Sequence, residues 1–175
     1  MNYANIKPYD IADGPGVRVS LFVSGCTHHC EGCFNSEAWD FSFGRPYNKD
    51  TEDEIMNYLA RPFIQGITFL GGEPMEPENQ GDVLNLIKRV RKDLPSRDIW
   101  LYSGYTLETD MLSGKLSEYK STYEILSNID VLVDGEFILE KKDISLVFRG
   151  SSNQRVIDMK KTLADGKTRL CPEYI

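Results

Sequence analysis

An α/β fold with a mostly parallel sheet, arranged as an incomplete TIM-type βα barrel, is what this 175-residue sequence predicts, on three observations. Runs rich in β-branched residues alternate with stretches of helical apolar spacing, the pattern of βα units around a parallel sheet. The two best-marked strands each run into glycines and then into chemically distinctive residues, where such folds keep functional loops, at strand C-termini. A closed eight-unit barrel takes about 250 residues, so this chain supplies only part of one and leaves a side open.

The elements follow in order. "VRVSLFV" (Val17 to Val23) alternates and reads as a strand ending just before Gly25 and a group of cysteines. "TEDEIMNYLA" (Thr51 to Ala60) has Thr51 and Glu54 at capping-box spacing and Ile55 and Leu59 one turn apart, which predicts a short helix stopped by Pro62. "GITFL" (Gly66 to Leu70) is a strand closed by Gly71 and Gly72. Val83, Leu84, Ile87, Val90 and Leu94 then mark a helix. "DIWLYS" (Asp98 to Ser103), a helical stretch between Leu107 and Ser127, and "DVLVD" (Asp130 to Asp134) repeat the pattern, and "ISLVF" and "QRVID" are read as two further short strands.

Composition narrows the class. The length suits one domain with a real core. The apolar share of 41% and charged share of 27% are ordinary for a water-soluble protein, and no stretch approaches the ~20 apolar residues of a membrane span. The N-terminal residues lack a basic region followed by an apolar run, so a cytoplasmic location is expected, where clustered cysteines serve metals or redox chemistry more often than structural bridges. A net charge of −7 argues against a nucleic-acid surface. The local group Lys88, Arg89, Arg91 and Lys92 falls on the polar face of a predicted helix.

Cys26, Cys30 and Cys33 form C-x3-C-x2-C, with Gly25 and Gly32 permitting tight turns. Structural zinc takes four ligands and would have to recruit His28, His29 or the distant Cys171. A thioredoxin-like pair of Cys30 and Cys33 leaves Cys26 unexplained. Three thiolates suit a cubane iron-sulfur cluster with one iron left open to a small chelating ligand. Gly71-Gly72-Glu73-Pro74, at the end of the next strand, taken alone reads as a plain turn. After a strand and ~40 residues beyond the cysteines, it reads as functional: glycines allow close backbone approach, and a carboxylate can complement an ammonium group.

With these two motifs the sequence resembles the radical S-adenosylmethionine (SAM) superfamily. The resemblance implies a partial barrel of the radical SAM type, one 4Fe-4S cluster held by Cys26, Cys30 and Cys33, and SAM contacts from the backbone of Gly32, Cys33 and Phe34. It also implies that Gly71, Gly72 and Glu73 hold the methionyl end, while Phe34 stands near the adenine. Reductive cleavage of SAM then yields methionine and a 5'-deoxyadenosyl radical. Gly32 replaces the aromatic that many members carry before the third cysteine. "DGPGVRVSLFVSGCTHHCEGCFN" is similar to the start of glycyl-radical activating enzymes; "DIWLYSGYT", "IDVLVDGEF" and "FRGSSNQRVID" are similar to the activating proteins of anaerobic ribonucleoside-triphosphate reductase.

This likeness covers residues 1 to about 158, read as the radical SAM domain, with 159–175 as a C-terminal tail. It implies hydrogen abstraction from a glycine of the large reductase subunit, and an open barrel suits a substrate that is a loop of another protein. With four cysteines in all, it implies one cluster and an external, flavodoxin-like electron donor. The alternatives are a radical SAM enzyme acting on a small molecule, as deazaguanine synthases do, and a non-catalytic zinc or electron-transfer module. Asp134 is open between the SAM pocket, a cation site and a turn; Ser103 between the ribose and a turn. The Arg149 to Arg155 loop carries no assignable chemistry. Cys171 reads as a free thiol, and Trp39 and Trp100 as core.

Overall fold

The computed structural model describes residues 1–174. Seven strands, β1 (Asn2–Asp10), β2 (Val17–Val23), β3 (Arg45–Pro46), β4 (Ile64–Gly71), β5 (Asp98–Tyr102), β6 (Val131–Asp134) and β7 (Arg155–Asp158), form one open sheet in the order β3-β1-β2-β4-β5-β6-β7. The inner four, β2, β4, β5 and β6, are mutually parallel. The outer three, β1, β3 and β7, run antiparallel to their neighbours. The sheet is therefore mostly parallel at its centre, and its two edges do not meet.

Helices α1 (Lys49–Leu59), α2 (Pro77–Asp93) and α3 (Lys120–Asn128) cover one face. Their Ile55, Leu59, Val83, Ile87, Val90 and Ile125 pack on Val19, Leu21, Ile67, Phe69 and Leu101, the alternate residues of the parallel strands. Strand side chains alternate between faces, so Arg18, Ser20, Thr68 and Trp100 look the other way, and all four are buried. Burying a charge is tolerated only when it is fully paired. Arg18 meets that condition: it donates to Thr68 Oγ1 (2.8 Å), Ile67 O (3.1 Å), Pro15 O (3.1 Å) and the Asp98 carboxylate, and lies 5.4 Å from the Trp100 ring. It thereby ties the turn before β2 to β4 and β5.

The first helix begins at Lys49, not Thr51. Asn48 is the cap, its Oδ1 accepting from Thr51 N at 3.0 Å and Thr51 Oγ1 at 3.1 Å, which shifts the capping unit one turn towards the N-terminus. "ISLVF" is no strand. Asp143 accepts from Ser145 N (2.8 Å) and Ser145 Oγ (2.6 Å), and Phe148 takes φ +56°, so a turn breaks the extended run. "QRVID" does form β7. Between Leu107 and Ser127 the chain makes a π-helical turn over Leu107–Leu112 before α3 begins at Lys120.

Strand β1 and the final helix α4 (Met159–Asp165) lacked a strong pattern in the sequence. Half of β1 faces solvent, and α4 is only seven residues long. Beyond α4, Cys171 packs with Trp100, Val133 and Val156 on the face opposite the helices. Among the described residues no helix is long and apolar enough to cross a membrane.

Candidate cluster-binding site

The loops leaving β2, β4, β5 and β6 emerge at one edge of the sheet and border a cavity of about 440 Å3. After β2 the chain turns at Gly25, whose N–H donates to Ala38 O (2.8 Å), while Cys26 N donates to Trp39 O (3.1 Å). A single turn of 3-10 helix, Ser36–Trp39, thus backs the cysteine loop. Cys33 N closes a turn onto Cys30 O (3.1 Å), and Asn35 N points at Cys33 Sγ (3.4 Å).

The start of α2 holds the same loop from the other side. Glu76 Oε1 accepts from both Thr27 N (2.8 Å) and Thr27 Oγ1 (2.6 Å); Asn79 Nδ2 donates to Ser24 O (3.0 Å) and Glu73 O (2.9 Å). Neither residue was singled out from the sequence. For Asn79 a signal was available: with Gln80 it continues the buried stripe of Val83, Ile87 and Val90 one turn further towards the N-terminus, placing polar groups where helical spacing demands burial.

Gly72 N donates to Val23 O (2.7 Å) and Glu73 N to Gly25 O (2.8 Å), stitching the glycine motif to the cysteine loop. A Cβ on Gly72 would stand 2.6 Å from Gly25 O and 2.9 Å from Ala38 O, so only glycine allows this approach. Glu73 is buried and held through both oxygens. Its Oε1 accepts from Met75 N and Ser103 Oγ, both at 2.8 Å, and its Oε2 from Gly104 N at 2.7 Å. His28 brings Nε2 to 3.3 Å from Oε2 and sets its ring 4.3 Å from that of Tyr105. Burial works against a charge on His28, but the Glu73 carboxylate outweighs it and raises the imidazole above its ordinary value.

Cys26, Cys30, Cys33, Gly32, Phe34, Gly71, Gly72, Glu73 and Ser103 all border this one cavity. Asp134 does not: buried, it accepts from Arg155 Nε (2.8 Å) and Leu107 N (2.9 Å), and Gly135 takes the place beside the cavity. The loop from Arg149 to Arg155 has a shaping role. Gln154 Oε1 accepts from Gly150 N (2.8 Å) and Ser151 N (3.1 Å), and its Nε2 donates to Gly135 O (3.0 Å), which fixes the segment after β6. Trp39 is half-buried beside the cavity, with His29 stacked on it at 4.7 Å, whereas Trp100 is core.

The thiols suit a polynuclear group. All three are free and border the cavity, and a cluster with each sulfur on a different iron asks for thiols spaced around such a space. Burial pushes the Cys26 thiol up to about 12 and Cys30 to about 11, so ligation displaces protons.

Asp13, in the turn before β2, also borders the cavity and went unnoticed in the sequence. Burial first, and then the neighbouring Asp10, raise its carboxyl from 3.8 to about 7. A carboxyl raised by folding lends stability below its unfolded value and withdraws it as pH climbs through the folded value. The melting temperature of the parent minus that of Asp13→Asn is therefore expected to fall between about pH 4 and pH 7 and then level off. A flat difference across that window in calorimetry would show Asp13 ionised throughout.

An open parallel sheet with three free cysteines around a cavity at its C-terminal edge has the makings of an iron-sulfur domain, and the sequence matches the family described as 4Fe-4S single cluster domain over residues 12–157. The anaerobic ribonucleoside-triphosphate reductase-activating protein of Escherichia coli is 45% identical over 159 residues, covering 89% of this chain and 97% of that protein. Those of Vibrio cholerae (45%, covering 88% and 96%) and Enterobacteria phage T4 (40%, covering 89% and 93%) are similar over the same extent. The chain belongs to this family of activating proteins.

Proposed function

We propose that this chain is a radical SAM activase that generates the glycyl radical on the large subunit of an anaerobic ribonucleoside-triphosphate reductase. The observation that carries the reading is the meeting of Cys26, Cys30 and Cys33 with Gly72 and Glu73 at one cavity, in a chain whose relatives are named for activating that reductase. Cys26, Cys30 and Cys33 hold one 4Fe-4S cluster. When bound, the cluster would supply an electron from the external donor for reductive cleavage of SAM, the chemistry needed to remove the glycine hydrogen.

The chain's own residues bind and orient. The backbone of Gly32, Cys33 and Phe34 lies beside the SAM site, and Gly71, Gly72 and Glu73 hold the methionyl end. Glu73 is locked by Ser103, Gly104 and Met75, so its carboxylate is in place before the ligand arrives, which removes an ordering cost from binding. Four parallel strands with helices on one face and a cavity against the other support a partial barrel of the radical SAM type. Residues 1–158 form the radical SAM domain and 159–175 a C-terminal tail, in which Leu170 pairs with Ile157 of β7. The electron comes from an external donor, the site of action is the cytoplasm, and the acidic chain engages neither nucleic acid nor membrane.

The test is electron paramagnetic resonance on the anaerobically reconstituted protein mixed with reductant, SAM and the reductase subunit. A glycyl-radical doublet that requires SAM is expected. Release of 5'-deoxyadenosine without a doublet would move the activity to a small-molecule substrate. An intact cluster with neither product would favour electron transfer.

A further inference from the structure

The rim of the cavity exposes apolar side chains of a kind that folded proteins ordinarily hide. Phe34, next to Cys33, is 84% exposed; Ile144 is 94% exposed and Val147 47%. Leu139 joins the two sides, since its Cδ1 lies 2.8 Å from where a Cβ on Gly32 would stand. Phe34 and Ile144 border the cavity itself, Leu139 stands against the cysteine loop at Gly32, and Val147 follows in the loop of residues 143–149.

That loop is held in this pose. Its neck is closed by Asp143 N to Gly150 O (3.2 Å), Ser152 N to Lys141 O (2.9 Å) and a bridge between Lys142 and Ser151. Phe148 turns inward, 5.4 Å from the ring of Trp100 and 5.1 Å from that of Tyr174. An anchored loop that tucks one half-buried aromatic residue inwards and leaves two aliphatic ones exposed presents a surface.

We infer that Phe34, Leu139, Ile144 and Val147 form the docking rim for the glycine-bearing loop of the target protein, and that the residues flanking that glycine are apolar. The inference rests on the proposed function and deepens it. A glycine has no side chain to steer it, and its Cα must reach the cavity. Its neighbours then have to cross the rim, where these aliphatic and aromatic groups offer apolar partners between the charged Lys142, Asp143 and Arg149. The same argument assigns no role to the aromatic group of Tyr9, Tyr58 and Phe63, none of which borders the cavity, whereas Phe34 and Ile144 do.

The experiment measures binding of the reductase large subunit to the full chain by biolayer interferometry, without SAM, beside SAM cleavage measured without the subunit. The double variant Ile144→Ser/Val147→Ser is expected to bind about tenfold or more weakly while partner-free cleavage stays at the parent rate. Phe63→Ser, another exposed position, is the control and is expected to bind normally. Apolar docking also predicts that raising salt from about 0.05 to 0.3 M changes the parent affinity little. Unchanged binding by the double variant, or equal loss in Phe63→Ser, would overturn the docking rim. Failure of the parent to cleave SAM would overturn the proposed function, a result separable from the rim because binding is read without SAM.

Discussion

Single replacement of Cys26, Cys30 or Cys33 by alanine is expected to abolish cluster retention and SAM cleavage together, whereas Cys171→Ala leaves both at the parent level. In a cluster with one open iron each thiolate serves a different metal, so no neighbouring group can take over a lost ligand without rebuilding the loop. His28 stands against Glu73 and His29 against Trp39, which leaves neither turned to that task. Cys171 packs with Trp100, Val133 and Val156 and does not border the cavity, and burial pushes its thiol up to about 11, which keeps it unreactive. Its replacement removes one small buried group and costs about 1 kcal/mol. Iron and sulfide per chain, visible absorbance and chromatography of 5'-deoxyadenosine are the measurements. Cleavage surviving in the triple variant would refute the assignment of these thiols.

Gly72→Ala should be the most damaging substitution of a residue without a functional group. Its Cβ would press on the carbonyls of Gly25 and Ala38, the two points that seat the cysteine loop between β2 and its backing turn. Neither is a flexible side chain that can step aside. Overpacking of this sort costs about 1–3 kcal/mol, and the loop has to move away from Glu73. The expected result is a lower melting temperature together with at least about a tenfold loss of SAM affinity. A variant that keeps parent affinity despite a lower melting temperature would reduce Gly72 to a packing role.

The parallel strands were legible because their burial on both faces writes long β-rich runs, as in Val17–Val23 and Ile64–Gly71, and the motifs were legible because each stands directly after such a run. β1 was illegible for the opposite reason: an outer strand with one wet face, carrying lysine and proline, resembles a loop. "ISLVF" has strand composition, but its Asp143 turn and the inward rotation of Phe148 are decided by what lies across from them. The same holds in the site. Sequence spacing points to Cys26, Cys30, Cys33 and Glu73, yet nothing local reveals that Asp134 is consumed by Arg155, that Ser103 and Gly104 hold Glu73, or that Glu76 and Asn79 brace the cysteine loop. Those partnerships span from 6 to 55 residues of chain, and all but the shortest exist only once the sheet has aligned.

That division of distances gives the two halves of the site different histories. The three thiols lie within eight residues of one another, so even a loosely structured chain keeps them close enough to scavenge iron. The opposite wall, from Glu73 through Ser103 to Gly135, is assembled only by correct registration of β4, β5 and β6. Bound iron therefore counts chains that have been metallated, while the stoichiometry of second-ligand binding counts chains that have matured. A preparation can be brown and largely incompetent, and turnover should be normalised to the latter number.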